Sequence, residues 1–345
     1  MEYLREGLLL GCGNPLLDVI ATVDDAFLQK YGLKPDDAIL ADEKKHKNLY
    51  KELAEHDSVQ YMAGGSCQNS LRVAQWILRT PKVAVFFGCV GVDDYAEKLA
   101  EKARADGVNV IYQQNDSLPT GTCAVAITNH HRSLCANLAA ANAFTADHIN
   151  QPENRKVIKN AKYFYVTGFF LTASSETVQA VAKHALAANS PFLMNLSAPF
   201  LAQFYNKELM EALSFADIVF GNEIEALAFA KEECFETEDL REIALKICRL
   251  PKQNENRSRI AVITQGKDPV LLAQNGKVVE IPVDALTNDE IVDTNGAGDA
   301  FVGGFLAQFI QEKSLETCVR CGIWAAREII KRSGCSFDGE ACFQE

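Results

Sequence analysis

The sequence predicts an α/β protein with a central, mostly parallel sheet flanked by helices, plus a small β-rich lid domain. First, short apolar runs ending in Gly, Asn or Ser recur, and each is followed by a helical pattern, as in βαβ units. Second, two parts of the chain break this rhythm with short extended segments and turn signals. Third, a length of 345 residues suits one large α/β domain with an appendage.

Six apolar runs are predicted to be strands of the central sheet. Runs this apolar are typical of strands that are buried on both faces by crossover helices. The ends of parallel strands meet at one sheet edge, where open α/β sheets bind their ligands. The six runs are residues 8–10, 83–87, 163–166, 192–196, 218–220 and 260–263.

The lid is predicted from extended segments at residues 18–23, 38–41, 58–63 and 108–139, which have little helical periodicity. These segments alternate along the chain with strands and helices of the large domain, so the division is discontinuous. The large domain is assigned residues 1–17, 65–107 and 140–345, and the lid residues 18–64 and 108–139.

One helix is predicted to begin directly after Asn295. Phe301, Phe305 and Phe309 recur every four residues, which places them on one face. That face is expected to be buried. Two glycines at 303 and 304 would permit close packing against a neighbouring helix.

Composition limits the classes of partner. The formal net charge is -12, which argues against a nucleic-acid or anionic-membrane surface. No run of 18 apolar residues occurs, so no membrane span is predicted. Eleven cysteines are scattered through apolar runs, which favours a reducing cytosol over a disulfide framework. The expected location is the cytoplasm, with the nucleus as a second location. The expected partners are small molecules.

Residues 293–301 read Asp-Thr-Asn-Gly-Ala-Gly-Asp-Ala-Phe and are the most informative stretch of the chain. A glycine-rich entry to a helix presents backbone N–H groups and the positive end of the helix dipole, which suit a phosphate. Asp299, in the same turn, has the right chemistry for a general base. Helix physics alone leaves a second interpretation open, in which Asp299 only favours the dipole and the glycines only make a turn.

This motif resembles the signature of the ribokinase-like superfamily of sugar and nucleoside kinases. The resemblance implies a three-layer sandwich, with Asp299 as catalytic base and the amides of Gly296, Ala297 and Gly298 as anion hole. Asn222 and Glu225 match an Asn-x-x-Glu element that supports Mg²⁺, through water, and phosphate. A further match, which receives the substrate in the superfamily, comprises Gly64, Gly65, Ser66 and Asn69.

The resemblance narrows to the adenosine kinases, whose motifs match in order and spacing over nearly the whole chain. It implies that Asp18 accepts hydrogen bonds from the ribose 2′- and 3′-hydroxyls, that Asn14, Gly65 and Asn69 complete the ribose site, and that Asn295 lies near the reacting hydroxyl. Each apolar residue of the matched motifs is, taken alone, ordinary core. Together they are expected to form a slot for adenine, with Phe170 stacked on the base: Leu16, Leu40, Cys123, Leu134, Ala136 and Phe170.

The resemblance also implies a nucleotide side. Thr264 and Gly266 look like the family's ATP-binding turn, and Asn195 and Asn222 are expected to contact ATP. Arg132, in the lid, would reach the transferring phosphate, and the open alternative is a surface arginine with no role. Mg²⁺ is the implied cofactor and ATP the co-substrate. The relatives are usually monomers, so a monomer is expected.

Three positions depart from the family's pattern or lie where it varies. Ala38 stands where some relatives have a polar residue, so purine selectivity could be altered. His130 and His131 precede Arg132 in a variable turn, where two solvated histidines are the simpler interpretation.

Other functions stay open. A kinase for another nucleoside or a sugar, or a catalytically silent nucleoside-binding protein, would share most of these motifs. An oxidoreductase is disfavoured because the third glycine of G-x-G-x-x-G is replaced by Leu16. The lone pair Cys318 and Cys321 lacks a second pair for zinc.

Overall fold

A computed structural model describes residues 4–35, 37–128 and 131–344, so His130 lies outside the described residues. Within these ranges the strands form two sheets. In chain order they are β1 Leu9–Cys12, β2 Leu16–Thr22, β3 Ala38–Leu40, β4 Gln60–Gly64, β5 Ala84–Gly91, β6 Asn109–Asn115, β7 Thr122–Thr128, β8 His131–Asn137, β9 Tyr163–Thr167, β10 Phe192–Asn195, β11 Ile218–Asn222, β12 Ile260–Gln265, β13 Asp268–Gln274 and β14 Lys277–Ile281.

The helices connect these strands. They are α1 Asp25–Tyr31, α2 Leu49–Ala54, α3 Ser66–Leu78, α4 Asp94–Ala105, α5 Ala146–Asn150, α6 Pro152–Asn160, α7 Leu171–Ala187, α8 Pro199–Phe204, α9 Asn206–Leu213, α10 Glu223–Glu232, α11 Leu240–Arg249, α12 Ala297–Phe309 and α13 Leu315–Ile330, with 3₁₀ turns at Ala139–Ala143 and Gly168–Phe170. Over the described ranges, none of the helices is long and apolar enough to cross a bilayer.

The large sheet has the strand order β14-β13-β12-β11-β10-β9-β1-β5-β6 across the described residues. Its strands from β12 to β6 pair in parallel, and β13 and β14 add an antiparallel edge. All six predicted central strands are present, and the mostly parallel sheet is confirmed. The antiparallel edge follows from two short connections, which are too short to carry a crossover helix.

Helices cover both faces of the large sheet. Side chains of β1 alternate between the two faces: Leu10 belongs to an apolar cluster that includes side chains of α7 and α11, and Leu9 belongs to a second cluster that includes side chains of α3, α4, α12 and α13. This alternation gives each face its own apolar core. The predicted three-layer sandwich is therefore confirmed.

The small sheet has the order β3-β8-β7-β2-β4. It carries its own apolar cluster, in which Val19 and Ala124 pack against Leu28, Leu49 and their neighbours on α1 and α2. The predicted lid segments 18–23, 38–41 and 58–63, and the part of 108–139 from Thr122 onward, therefore contribute strands to a separate sheet. The sheet joins the large one at Gly64, because β4 ends there and α3 begins at Ser66.

One predicted boundary is wrong. Residues 108–115 were assigned to the lid, but β6 pairs in parallel with β5 and forms the edge of the large sheet. The crossover helix α4 between the two strands fixes this pairing, because α4 packs on both of them. The lid strands of this part of the chain begin at Thr122 instead.

The predicted helix after Asn295 is α12, and its glycines are needed for packing. A Cβ on Gly303 would lie 2.6 Å from the Ser70 carbonyl oxygen of α3, and one on Gly304 2.5 Å from the Cys321 carbonyl oxygen of α13. These are closer than any side chain tolerates. The glycines therefore hold α12 between its two neighbours.

Candidate active site

A cavity opens where the small sheet meets the carboxyl edge of the large sheet. Most of the predicted site residues line it. The predicted residues that line the cavity are Asn14, Leu16, Asp18, Leu40, Gly65, Ser66, Asn69, Cys123, Leu134, Ala136, Asn195, Glu225, Asn295, Gly296, Gly298 and Asp299. Ala38, which departs from the family's pattern, lines it as well.

Asp299 lies in the first turn of α12 with its carboxylate in the cavity wall. Ser66 Oγ donates to Oδ1 at 2.6 Å, and Asn69 Nδ2 donates to Oδ2 at 3.1 Å. Burial raises the pKa of Asp299, while the Ser66 and Asn69 hydrogen bonds and the charge of Arg72 oppose that rise. The two donors thus favour the carboxylate form, which is the form that can accept a proton.

The turn before Asp299 has the backbone of a helix entrance. Gly296 is the N-cap residue with a φ of 77°, and a Cβ there would lie 2.9 Å from Cys335 Cβ, so glycine is required. Gly298 has open space around it. The Ala297 N–H already donates to the Thr294 carbonyl at 3.3 Å, and the Ala297 side chain does not line the cavity. Of the predicted anion hole, the cavity wall therefore contains Gly296 and Gly298.

Asp18 enters the cavity from β2 and depends on the glycine pair of the sheet junction. A Cβ on Gly64 would lie 2.2 Å from Asp18 Oδ1, and one on Gly65 2.3 Å from the Asn14 carbonyl oxygen. Gly64 itself lies outside the cavity lining and makes room for the carboxylate. Burial first, and the nearby Asp299 carboxylate second, raise the pKa of Asp18 to about 7.

Asn14 follows β1 and is buried at the cavity. Its Nδ2 donates to the Phe169 carbonyl oxygen at 3.1 Å. Among the described residues its Oδ1 has no hydrogen-bond partner. A buried amide oxygen without a donor costs free energy, so a ligand hydroxyl that donates to it would be stabilised.

The prediction for Phe170 is wrong. Phe170 is fully buried and packs edge-on against Phe144 in the core of the large sheet, whereas Phe169 lines the cavity. The 3₁₀ turn Gly168–Phe170 points successive residues in different directions, so only one of the two rings can face the ligand. Phe169 is tilted against Phe200, another cavity residue, with ring centroids 6.2 Å apart.

The residues predicted to contact ATP lie along one sheet edge. Asn195, Asn222 and Thr264 stand at or near the carboxyl ends of the adjacent parallel strands β10, β11 and β12, and Asn222 is in register with Thr264. Gly266 follows in the β12–β13 turn with a φ of 58°. Asn195 lines the cavity, whereas Asn222, Thr264 and Gly266 do not.

Asn222 and Glu225 form a reciprocal cap at the start of α10. The Asn222 side-chain oxygen accepts from the Glu225 N–H at 2.8 Å, and Glu225 Oε2 accepts from the Asn222 N–H at 3.0 Å. Glu225 also lines the cavity, and burial raises its pKa to about 7. The pair therefore caps α10 and leaves a buried carboxylate facing the cavity.

This donor set fits a water-mediated Mg²⁺ rather than a closed protein cage. In the described part of the chain no three His, Cys, Asp or Glu side chains are grouped to hold a metal. Mg²⁺ keeps several waters and is commonly bound by one or two carboxylates together with substrate phosphates. Glu225 in the cavity wall supplies such a carboxylate, because each of its oxygens has a second lone pair.

Arg132 is buried rather than on the surface, so the alternative of a surface arginine is excluded. It pairs from β8 with Asp293, the first residue of the glycine motif. Asp293 also accepts hydrogen bonds from the backbone N–H groups of Asn295, at 2.7 Å, and of Gly334. Arg132 thus places a positive charge from the small sheet beside the turn that leads to α12. His131 is exposed at the start of the same strand.

Several residues of the cavity were not predicted. The Gly-Phe-Phe and Asn195–Phe200 segments were recognised as motifs, but the motifs do not tell which side chains face inward. The missed lining residues are Ile39, Leu138, Thr167, Phe169, Thr172, Ser197 and Phe200. Arg72 is also missed, because it belongs to no motif. Asp293 belongs to the glycine motif, but the motif does not show that its side chain pairs with Arg132.

The site is that of a small-molecule kinase, with a buried acid at a glycine-rich helix start and a substrate cavity beneath a second sheet. The family model of the pfkB family carbohydrate kinases matches residues 25–342. The chain therefore belongs to the pfkB family of carbohydrate kinases.

Within this family the chain is similar to adenosine kinases. It is 50% identical over 332 residues to adenosine kinase 2 of Arabidopsis thaliana, which covers 96% of both proteins. It is 43% identical over 329 residues to the adenosine kinase of Schizosaccharomyces pombe, covering 95% of each. The crystal structure of Anopheles gambiae adenosine kinase in complex with P1,P4-di(adenosine-5) tetraphosphate matches with a TM-score of 0.96 and 56% identity, over 99% of this chain and 100% of that one.

Proposed function

We propose that this chain transfers the γ-phosphoryl group of Mg·ATP to the 5′-hydroxyl of adenosine, giving AMP and ADP. One observation carries the proposal: Asp299, Asp18 and the apolar slot residues line the same cavity. A nucleoside has a reacting hydroxyl, a vicinal diol and a flat apolar base, and the cavity offers one matching group for each. The similarity to adenosine kinases over nearly the whole chain supports adenosine as the nucleoside.

The polar part of the cavity suits ribose. Asp18 presents two acceptor oxygens, which can take the two hydroxyls of a vicinal diol in parallel. The Asn14 side-chain oxygen, which has no donor within the described residues, offers a further acceptor. Gly65, Ser66, Asn69 and Asn295 complete this wall, and glycine at position 65 lets the ligand approach the backbone closely.

The apolar part of the cavity suits adenine. It is formed largely by the small sheet, with Phe169 and Phe200 opposite as the aromatic surfaces. Ala38 lies in this wall, so no polar side chain at that position contacts the base. The slot residues are Leu16, Ile39, Leu40, Cys123, Leu134, Ala136 and Leu138.

Asp299 acts as the general base. It accepts the proton of the 5′-hydroxyl as that oxygen attacks the γ-phosphorus, and Ser66 and Asn69 orient the carboxylate. The helix start at Gly296 and Gly298, together with the positive charge of Arg132, stabilises the negative charge that develops on the phosphoryl oxygens. Glu225, with Asn222, would hold Mg²⁺ through water together with the phosphates of ATP, and the bound ion would supply positive charge beside those phosphates.

Closure of the small sheet over the cavity would exclude water, which otherwise competes as phosphoryl acceptor. The expected partners are therefore adenosine and ATP, with no nucleic acid or membrane partner. The chain is proposed to act as a monomer in the cytoplasm and the nucleus.

The test is ADP release from Mg·ATP with adenosine, inosine, guanosine, ribose and fructose as separate acceptors. Adenosine is expected to be turned over, and Asp299→Asn to lower kcat by about 10²- to 10⁴-fold with little change in KM. Asp116→Asn makes the same chemical change at an exposed loop position and serves as the matched control.

Turnover of ribose or fructose in preference to adenosine would replace the substrate while keeping a kinase. Thermal stabilisation by adenosine without any ADP release would instead indicate a silent binding protein. An unchanged kcat in Asp299→Asn would refute the assignment of the base.

A further inference from the structure

Arg72 is an arginine that the mechanism above does not use, and its position is unusual. It lies on α3 with 1% of its surface exposed and is among the largest fully buried side chains described. Arginines are rarely buried to this extent unless they are paired. Its partners therefore indicate what the side chain does.

The guanidinium of Arg72 joins two groups. Nε donates to Asp106 Oδ2 at 2.7 Å, and Nη1 donates to Asn69 Oδ1 at 2.9 Å. A weaker contact of 3.3 Å connects Nη1 to the Ala63 carbonyl oxygen. The guanidinium also lies over the ring of Phe337, 5.5 Å from its centroid. The ion pair with Asp106 and the contact with the Phe337 ring hold the guanidinium N–H groups of Arg72 in one orientation.

Asn69 connects Arg72 to Asp299 through two hydrogen bonds of its side-chain amide. Its Oδ1 accepts from Arg72, and its Nδ2 donates to Asp299 Oδ2 at 3.1 Å. An amide has one accepting and one donating end, so the first contact decides which end faces the second. We propose that Arg72 is a positioning residue, which fixes the Asn69 amide so that its NH₂ group points at Asp299.

The fixed amide matters because Asp299 changes its protonation state during the proposed reaction. Once Asp299 holds a proton, a freely rotating amide could turn and accept from the new O–H, which would stabilise the acid. With Arg72 in place, a turned amide would set NH₂ against a guanidinium that also has only donors. Asn69 therefore remains a donor and keeps favouring the carboxylate. This inference rests on the proposed role of Asp299 as base.

Other titratable or charged groups act on Asp299 from the surrounding elements. The Asp18 and Glu225 carboxylates oppose its ionisation, and Arg72 favours it through its charge as well as through the amide. Burial raises the pKa values of Cys67, Tyr165 and Cys335 and so keeps these three side chains neutral. The whole set is Asp18, Cys67, Arg72, Tyr165, Glu225 and Cys335.

Arg72→Lys separates the amide contact from the charge. A lysine has a single nitrogen, which can keep the ion pair with Asp106 but cannot hold Asp106 and Asn69 with a rigid fork. In the full chain, kcat/KM for adenosine is expected to fall about 10- to 100-fold in Arg72→Lys. The acid limb of its pH profile is expected to move to higher pH, because the carboxylate has lost a dependable donor.

The decisive measurement is a double-mutant cycle with Asn69→Ala. If Arg72 acts through Asn69, Arg72→Lys should change kcat/KM by less than about twofold in the Asn69→Ala background. Equal losses in both backgrounds, or losses that follow a drop in the unfolding midpoint, would overturn the proposal in favour of a purely structural ion pair.

The control is Lys102→Met, which removes the other cation from Asp106 without touching Asn69. It is expected to leave kcat/KM unchanged, and a loss equal to that of Arg72→Lys would also overturn the proposal.

The wild-type assay distinguishes a failure of the proposed function from a failure of the positioning role. No turnover of adenosine by the wild type refutes the proposed function, whereas turnover with an additive cycle refutes only the positioning role.

Discussion

Adenosine binding is expected to weaken about tenfold between about pH 8 and about pH 6, because Asp18 must be ionised to accept two ribose hydroxyls. Burial and the neighbouring Asp299 carboxylate raise the pKa of Asp18 to about 7, against the opposing charges of Arg132 and Arg72. With a pKa of about 7, about nine tenths of the Asp18 side chains are ionised at about pH 8, and about one tenth are ionised at about pH 6. A bound diol favours the charged form, so affinity rises with pH through this range.

Calorimetric titration of adenosine without ATP, repeated across this pH range, measures the effect directly. Asp18→Asn should bind weakly and with no such pH dependence. In Asp299→Asn the midpoint should move to lower pH, because the second-largest cause of the raised pKa has been removed. A constant affinity in the wild type, or the same pH dependence in Asp18→Asn, would refute the reasoning.

Four substitutions test the packing of the core and of the cavity wall. Phe170→Ala should cost about 3–5 kcal/mol of unfolding free energy in urea, whereas Phe169→Ala should mainly raise KM for adenosine; the reverse pattern would return the base-stacking role to Phe170. Gly304→Ala should destabilise by about 1–3 kcal/mol, since its methyl group meets the Cys321 carbonyl oxygen at 2.5 Å, and an unchanged urea midpoint would contradict this packing. Gly64→Ala should raise KM for adenosine about tenfold or more, because the added methyl group would displace the Asp18 carboxylate. Steady-state kinetics measures this change, and an unaltered KM would contradict the prediction.

The sequence predicts the central sheet well because its strands are continuous apolar runs. It places α12 correctly for a related reason, since the spacing of Phe301 and Phe305 and the glycine entry are both local signals. The edge strand β6 was misassigned because an edge strand is only half-buried and resembles a lid strand in composition. Its partner can be identified only when the crossover helix is placed.

Side-chain direction is the part of the site that a single sequence does not contain. Phe169 and Phe170 are adjacent and chemically identical, and only the 3₁₀ turn decides which one reaches the cavity. Arg132 and Asp293 are far apart in the chain, so their pairing depends on how the two sheets meet. Arg72 carries no motif, and its connection to Asp299 appears only through the intervening amide of Asn69.

Cys123 has a consequence for chemical modification of the protein. Its thiol lies in the apolar slot, where burial raises its pKa well above the usual value. The thiolate is the reactive form, so an electrophilic nucleoside analogue held in the slot would alkylate Cys123 slowly despite its proximity. Cys234 and Cys342 are exposed and would react with soluble reagents first. A fluorescent label placed on those two thiols would therefore leave the cavity free to bind its ligand.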